Sequence, residues 1–129
     1  MKLLLDTHIY IAMLKSQPEQ FGKQIGALLN ASENELFLSA ATLWEMSIKW
    51  RLGKLDILQP PELLPTLARE FGMKIVAVNE RHAIAHSEPE PPTRDPFDRL
   101  LLAQCAVEGM KLVTIDAALA GHPLSATAD

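Results

Sequence analysis

Two aspartates bracket a proline in "TRDPFDRLLLAQ", residues 93 to 104, where an apolar helix is expected to begin. Asp95, Pro96 and Asp98 have the form of a helix start: a capping acid, a proline at the first helical position and a second acid three residues after the cap. On that reading both acids are structural. Asp98 also shares a helical face with Leu101, Leu102, Cys105 and Gly109, three, four, seven and eleven residues further on. An ionised acid at the mouth of an apolar stripe is costly unless it is paired or coordinated. Asp95 is therefore expected mainly to cap the helix, and Asp98 to do more. Three other acids stand at comparable points: Asp6 closes the apolar run "KLLLD", Asp116 follows "KLVTI", and Glu45 lies in the early turns of a helix that follows "ELFLS". Glu45 has a plainer reading as the partner of Lys49 in an i,i+4 ion pair worth a few tenths of a kcal/mol.

If Asp6, Glu45, Asp98 and Asp116 converge, electrostatics limits what they can be. Two carboxylates about 4 Å apart repel by roughly 1 kcal/mol in water and about 4 kcal/mol at an effective dielectric near 20. Some of the acids must hold protons, as in an acid dyad, or a cation must neutralise them. An all-oxygen cluster with no Cys and no obligatory His is the ligand set preferred by Mg²⁺ or Mn²⁺. Such an ion activates a water and neutralises a phosphate, so a site that cuts phosphodiesters is the expectation.

Positioning these acids requires alternating strands and helices. "KLLLD" (2–6) is a short continuous apolar run and suits a strand buried on both faces. "ELFLS" (35–39), "KIVAV" (74–78) and "KLVTI" (111–115) read as further strands, and the last few residues as a weak edge strand. Between them fall helices: "THIYIAMLK"; "PEQFGKQIGALLNAS"; the largely buried "AATLWEMSIKWRLGKL", stopped at Gly53; "PPELLPTLAREFG", kinked or divided at Pro65; "NERHAIAHS", capped by Asn79; "PFDRLLLAQCAVEG"; and a short helix from Asp116. Parallel strands need crossover connections, usually helical, so a parallel sheet flanked by helices is expected. Functional residues gather beyond the C-terminal ends of such strands. If the first and last of these strands are neighbours, Asp6 and Asp116 emerge side by side.

The chain of 129 residues is the size of one domain, 1–129, with a real core. Nearly half of it is apolar and about a fifth is charged, which excludes a disordered chain. The single cysteine, Cys105, rules out an internal disulfide and fits a cytoplasmic protein. The N-terminal apolar stretch is interrupted by Asp6 and His8 and does not read as a signal peptide, and no run spans a bilayer. A net charge of −4 argues against a generic polyanion binder.

With these residues in view, the sequence resembles the PIN-domain family, and within it the VapC-type ribonuclease toxins of bacterial toxin–antitoxin pairs. The matching segments are "LLLDTH", "LSAATLWEMSIKWRLGKL", "RDPFDRLLLAQ" and "KLVTID", in order and nearly end to end. The resemblance implies a three-layer α/β/α sandwich with a central, mainly parallel sheet. It also implies a Mg²⁺- or Mn²⁺-dependent endoribonuclease in which Asp6, Glu45, Asp98 and Asp116 match the family's acidic quartet. Asp6 and Asp98 would hold the metal with help from Asp116, while Glu45 would ligate a second ion or position the attacking water. Asp95 is a possible additional acid, and Thr7 and Thr114 are candidates for orienting carboxylates. A cognate antitoxin covering the cleft and a homodimer of the toxin are implied as partners.

Lys49, Arg51, Lys54, Arg94 and Arg99 are the basic residues nearest these motifs and the candidates for RNA backbone contacts; Arg99 has the alternative of neutralising the acids. His82 and His86 are one helical turn apart, but without an "HExxH" or a third ligand they read as surface or interface histidines. His8 could line the cleft, and His122 carries no signal. Trp44 and Trp50 are expected in the core or at an interface rather than on bases. Three rivals remain: an inactive PIN-like module that holds RNA or protein, a DNA-directed nuclease, and a phosphoacceptor domain of receiver type. The last lacks an acidic pair at the first strand and a lysine before a late proline, having only Asp6 and "GHP".

Overall fold

The computed structural model describes residues 1–126. The strands are β1 (Lys2–Leu5), β2 (Glu35–Ser39), β3 (Met73–Val76) and β4 (Lys111–Val113). The helices are α1 (Thr7–Leu14), α2 (Gly22–Asn30), α3 (Ala40–Arg51), α4 (Leu64–Glu70), α5 (Glu80–Ile84), α6 (Pro96–Glu108) and α7 (Ala117–Ala120). All strand pairs are parallel and the order is β3-β2-β1-β4. Leu3 pairs with Leu36 on one side and Lys111 on the other, so β1 is central.

Side chains alternate between sheet faces along a strand, and this divides the core into two. Leu3, Leu5, Leu38 and Val113 pack with Ile9, Tyr10, Leu28, Met46, Leu64 and Ala68, from α1 to α4. Leu4 and Leu112 point the other way, against Leu101, Leu102 and Cys105 of α6 and Leu119 of α7. The continuous "LLL" of β1 is thus buried on both faces, and each leucine so enclosed contributes about 1.5–3 kcal/mol. The result is the expected three-layer α/β/α arrangement around a parallel sheet.

Several boundaries differ from the sequence expectation. Residues 18–32 are not one helix: Pro18–Gln20 form a 3₁₀ turn, and α2 starts afresh at Gly22, whose φ of +76° breaks the right-handed path. The prolines at 60–61 likewise give a 3₁₀ turn, and Pro65 stands in the first turn of α4, where its missing N–H costs nothing. β3 runs one residue earlier than expected and stops at Val76, leaving Ala77 and Val78 to lead into the Asn79 cap. β4 stops at Val113 rather than 115, level with the end of β1 at Leu5, its ladder partner. α3 is buried on one face only, through Ala41, Thr42, Glu45 and Met46. Trp44 and Trp50 on its outer side are exposed, so neither is a core residue of the chain. Of the expected terminal edge strand, Ser125 forms a single parallel bridge to Leu112; residues 127–129 lie outside the described part.

Candidate active site

From β1 the chain steps through β2 to β3 and then crosses back to β4 on the far side of β1. The strand order reverses between β1 and β4, and beyond the C-terminal ends of such a pair an open α/β sheet leaves a crevice. Asp6 and Thr114 stand there, each one residue past its strand. The Asp6 N–H donates to the Val113 carbonyl at 2.9 Å and extends the ladder by one bond. Asp6 is also the N-cap of α1, with Oδ1 accepting from the Thr7 N–H at 2.7 Å. Its Oδ2 accepts from the Thr114 hydroxyl at 2.7 Å. That hydroxyl oxygen in turn accepts from the Asp116 N–H at 3.0 Å, so Thr114 ties together the chain at both acids. Asp116 caps α7 through the Ala118 N–H at 2.9 Å.

The other acids reach the same edge from α3 and α6. Thr7 donates its hydroxyl to Glu45 Oε1 at 2.8 Å, and the Thr42 hydroxyl lies 3.2 Å from that of Thr7. The second oxygen of Glu45 accepts from Lys49 at 2.6 Å. The expected i,i+4 pair therefore forms, but on a carboxylate only 6 % exposed and not on a wet face. Thr42 was not among the sequence candidates; its one signal was its place one turn before Glu45 on the same helix face. Asp95 caps α6, accepting from the N–H groups of Phe97 at 2.9 Å and Asp98 at 3.4 Å. Asp98 follows in the first turn of α6. Acids at helix N-termini are favoured by the aligned peptide dipoles, and α1, α6 and α7 all begin here with one.

Burial pushes the Asp98 carboxyl up to about 7, and the nearby charges of Asp6, Asp95, Asp116 and Glu45 push in the same direction. Asp6 is also raised, first by burial, against the lowering effect of its Thr114 hydrogen bond. The five acids thus share one electrostatic neighbourhood with a shortage of positive charge. Among the described residues, no three His, Cys, Asp or Glu side chains close into a ready ion cage. The donor set suits an open, hydrated hard cation instead, because Mg²⁺ keeps several waters and takes one or two carboxylates. A closed structural zinc site is not what these residues fit.

Compared with known families, residues 3–122 match the PIN domain model. The chain belongs to the PIN domain family. This is a family of nucleases that generally use divalent metal ions. Among solved structures, VapBC-1 from nontypeable Haemophilus influenzae is similar in fold, with a TM-score of 0.59 at 19% identity. That similarity covers 90% of this chain and 87% of the other. No curated protein matches significantly. No helix among the described residues is long and apolar enough to cross a membrane.

Other candidates in this PIN domain fall in different places. Arg99 does not face the acids: its guanidinium donates to the Thr93 carbonyl at 2.8 Å and pairs with Glu90 in the proline-rich loop. Lys49 is occupied by Glu45, while Arg51, Lys54 and Arg94 are exposed. His8 is exposed at the start of α1, close enough for its charge to favour ionised Asp6. His82 corrects the expectation of a surface histidine, since it is 1 % exposed, accepts from the Asn79 N–H at 3.1 Å and meets Glu108 at 2.7 Å. The ring locks α5 onto α6. His122 is buried and bridges to the Pro89 carbonyl at 2.8 Å.

Asp95 provides a separable test of the helix start. Asp95→Ala removes the acceptor for two N–H groups and should lower stability by about 0.5–2 kcal/mol. Urea unfolding should show a lower midpoint with an unchanged slope. Much of any nuclease activity should survive; loss as complete as for Asp98→Asn would mean that Asp95 belongs to the reacting site.

Proposed function

We propose that this PIN domain, acting as a single cytoplasmic domain, is a Mg²⁺- or Mn²⁺-dependent endoribonuclease and the toxin of a toxin–antitoxin pair. The observation that carries the reading is the excess of negative charge where Asp6, Glu45, Asp98 and Asp116 meet at the β1/β4 crevice; burial first, and then these neighbouring acids, raises the Asp98 carboxyl to about 7. An enzyme that binds a divalent cation and an RNA phosphate needs such an excess. Family membership and the likeness to VapBC-1 support the same reading.

Asp6 and Asp98 would hold the ion, assisted by Asp116. When bound, a divalent ion activates a water and neutralises the phosphate being cut. Thr114 and Thr7 keep Asp6 fixed, one by its hydroxyl and the other by its N–H, so that one carboxylate orientation is preformed. Glu45, fixed by Thr7 and balanced by Lys49, would position the attacking water or ligate a second ion. Arg51, Lys54 and Arg94, which are exposed and form no ion pair among the described residues, are the candidates for the RNA backbone. A cognate antitoxin over this crevice and a homodimer are the partners proposed.

The decisive experiment is cleavage of total tRNA and rRNA by partner-free protein with Mg²⁺, with Mn²⁺ and with EDTA. Discrete cuts that need metal are expected. A folded protein that binds neither metal nor RNA would instead be an inactive PIN-like module, and equal cutting of DNA would remove the RNA assignment.

A further inference from the structure

The residue before each of two site acids is aromatic: Trp44 precedes Glu45, and Phe97 precedes Asp98. Their rings meet across the seam between α3 and α6 in an edge-to-face pair, with centroids 5.7 Å apart and planes inclined at 67°. Trp44 is nevertheless 64 % exposed, so the contact fixes the indole while leaving most of it to solvent. One residue along a helix turns a side chain by about 100°, so the indole stands beside the acids and not among them. Arg51 follows seven residues later on the same stripe of α3, about 10 Å along the axis, and is also exposed.

An uncharged aromatic surface at the lip of a phosphate-cutting site, with a cation further out, matches the parts of a nucleotide chain. The acids and their ion take the phosphate, and the indole fits the base. We propose that Trp44, braced by Phe97, is a stacking platform for a nucleobase next to the phosphate to be cut, with Arg51 on the backbone beyond it. The proposal rests on the ribonuclease reading and narrows its substrate to RNA whose base at this point is unpaired, since a paired base has no free face to offer. Every base has a π-face, so Trp44 supplies affinity and register more than base identity.

The test uses a Trp50→Phe chain in Mg²⁺, in which Trp44 is the only tryptophan and the acids are intact, with emission read by stopped flow on mixing, before cleavage. A short single-stranded oligoribonucleotide should quench Trp44 emission, and an abasic strand of equal length should bind about 5- to 150-fold more weakly without quenching. In the otherwise native chain, Trp44→Ala should raise KM for RNA by a similar factor with kcat little changed, and Trp44→Phe should recover most of the loss. Equal binding of the abasic strand, or an unchanged KM in Trp44→Ala, overturns the platform while leaving the nuclease intact. An unchanged KM with a shifted monomer–dimer equilibrium would assign the indole to a protein contact, also overturning it. A native chain that neither binds nor cuts RNA overturns the ribonuclease reading, and the platform with it.

Discussion

Asp98→Asn is expected to abolish RNA cleavage and, at the same time, to make the metal-free protein more stable. The activity loss follows from the metal-holding role proposed for Asp98: several kcal/mol of transition-state charge stabilisation, at 1.36 kcal/mol per decade, correspond to roughly a thousandfold or more. The stability gain follows from the cost of ionising a carboxyl that is partly buried among other acids. The Asp98 carboxyl is raised from 3.8 to about 7 in the folded protein, first by burial and then by Asp6, Asp95, Asp116 and Glu45. A folded-state value above the unfolded one means that the stability it contributes is present at low pH and is lost as pH rises through about 7. Asparagine does not titrate, so the variant escapes that loss. The full shift would be worth about 4 kcal/mol, but a carboxyl half in solvent is screened, and about 1–2 kcal/mol is the expected gain. It should be absent below about pH 4 and complete above about pH 7. Urea unfolding in EDTA at several pH values, with single-turnover cleavage in Mg²⁺, measures both; a variant that loses activity and stability together would make Asp98 a structural residue.

Divalent metal should reverse the same pH dependence in the native chain. In EDTA, Asp98 makes stability fall as pH rises from the ordinary carboxylate range towards 7, and the raised Asp6 carboxyl acts in the same direction. A bound cation favours the ionised forms and therefore binds better as pH rises. Saturation at a hundred times Kd stabilises the folded state by about 2.7 kcal/mol, so Mg²⁺ should raise Tm most at neutral pH and least near pH 4. Thermal melts in EDTA and in Mg²⁺ across that range test it. Parallel pH profiles with and without metal would show that the ion does not bind at these acids. The Asp98→Asn protein should show most of the pH profile flattened and a much smaller Mg²⁺ effect, which separates this site from weak binding elsewhere on an acidic protein.

The sequence by itself determined the layered α/β fold, because its signals are local. A continuous "LLL" run demands burial on both faces, Gly53 with φ of +72° follows the end of α3, and Asn79 and Asp95 cap the helices they precede. It also singled out Asp6 and Asp116 at strand ends, Asp98 at a helix start and Glu45 in the early turns of the helix after "ELFLS". Other features depend on contacts between residues far apart in the chain, and only the tertiary structure decided them. Strand order is one: the neighbourhood of β1 and β4 brings Thr114 to Asp6 across 108 positions, a separation at which composition and periodicity carry no information. The engagement of Arg99 by Glu90, the burial of His82 against Glu108 and the exposure of Trp44 beside Phe97 are others. Helical spacing tells which residues share a face; what packs against that face, and therefore whether a charge is paired, a histidine buried or an indole left open, is fixed by the partner elements.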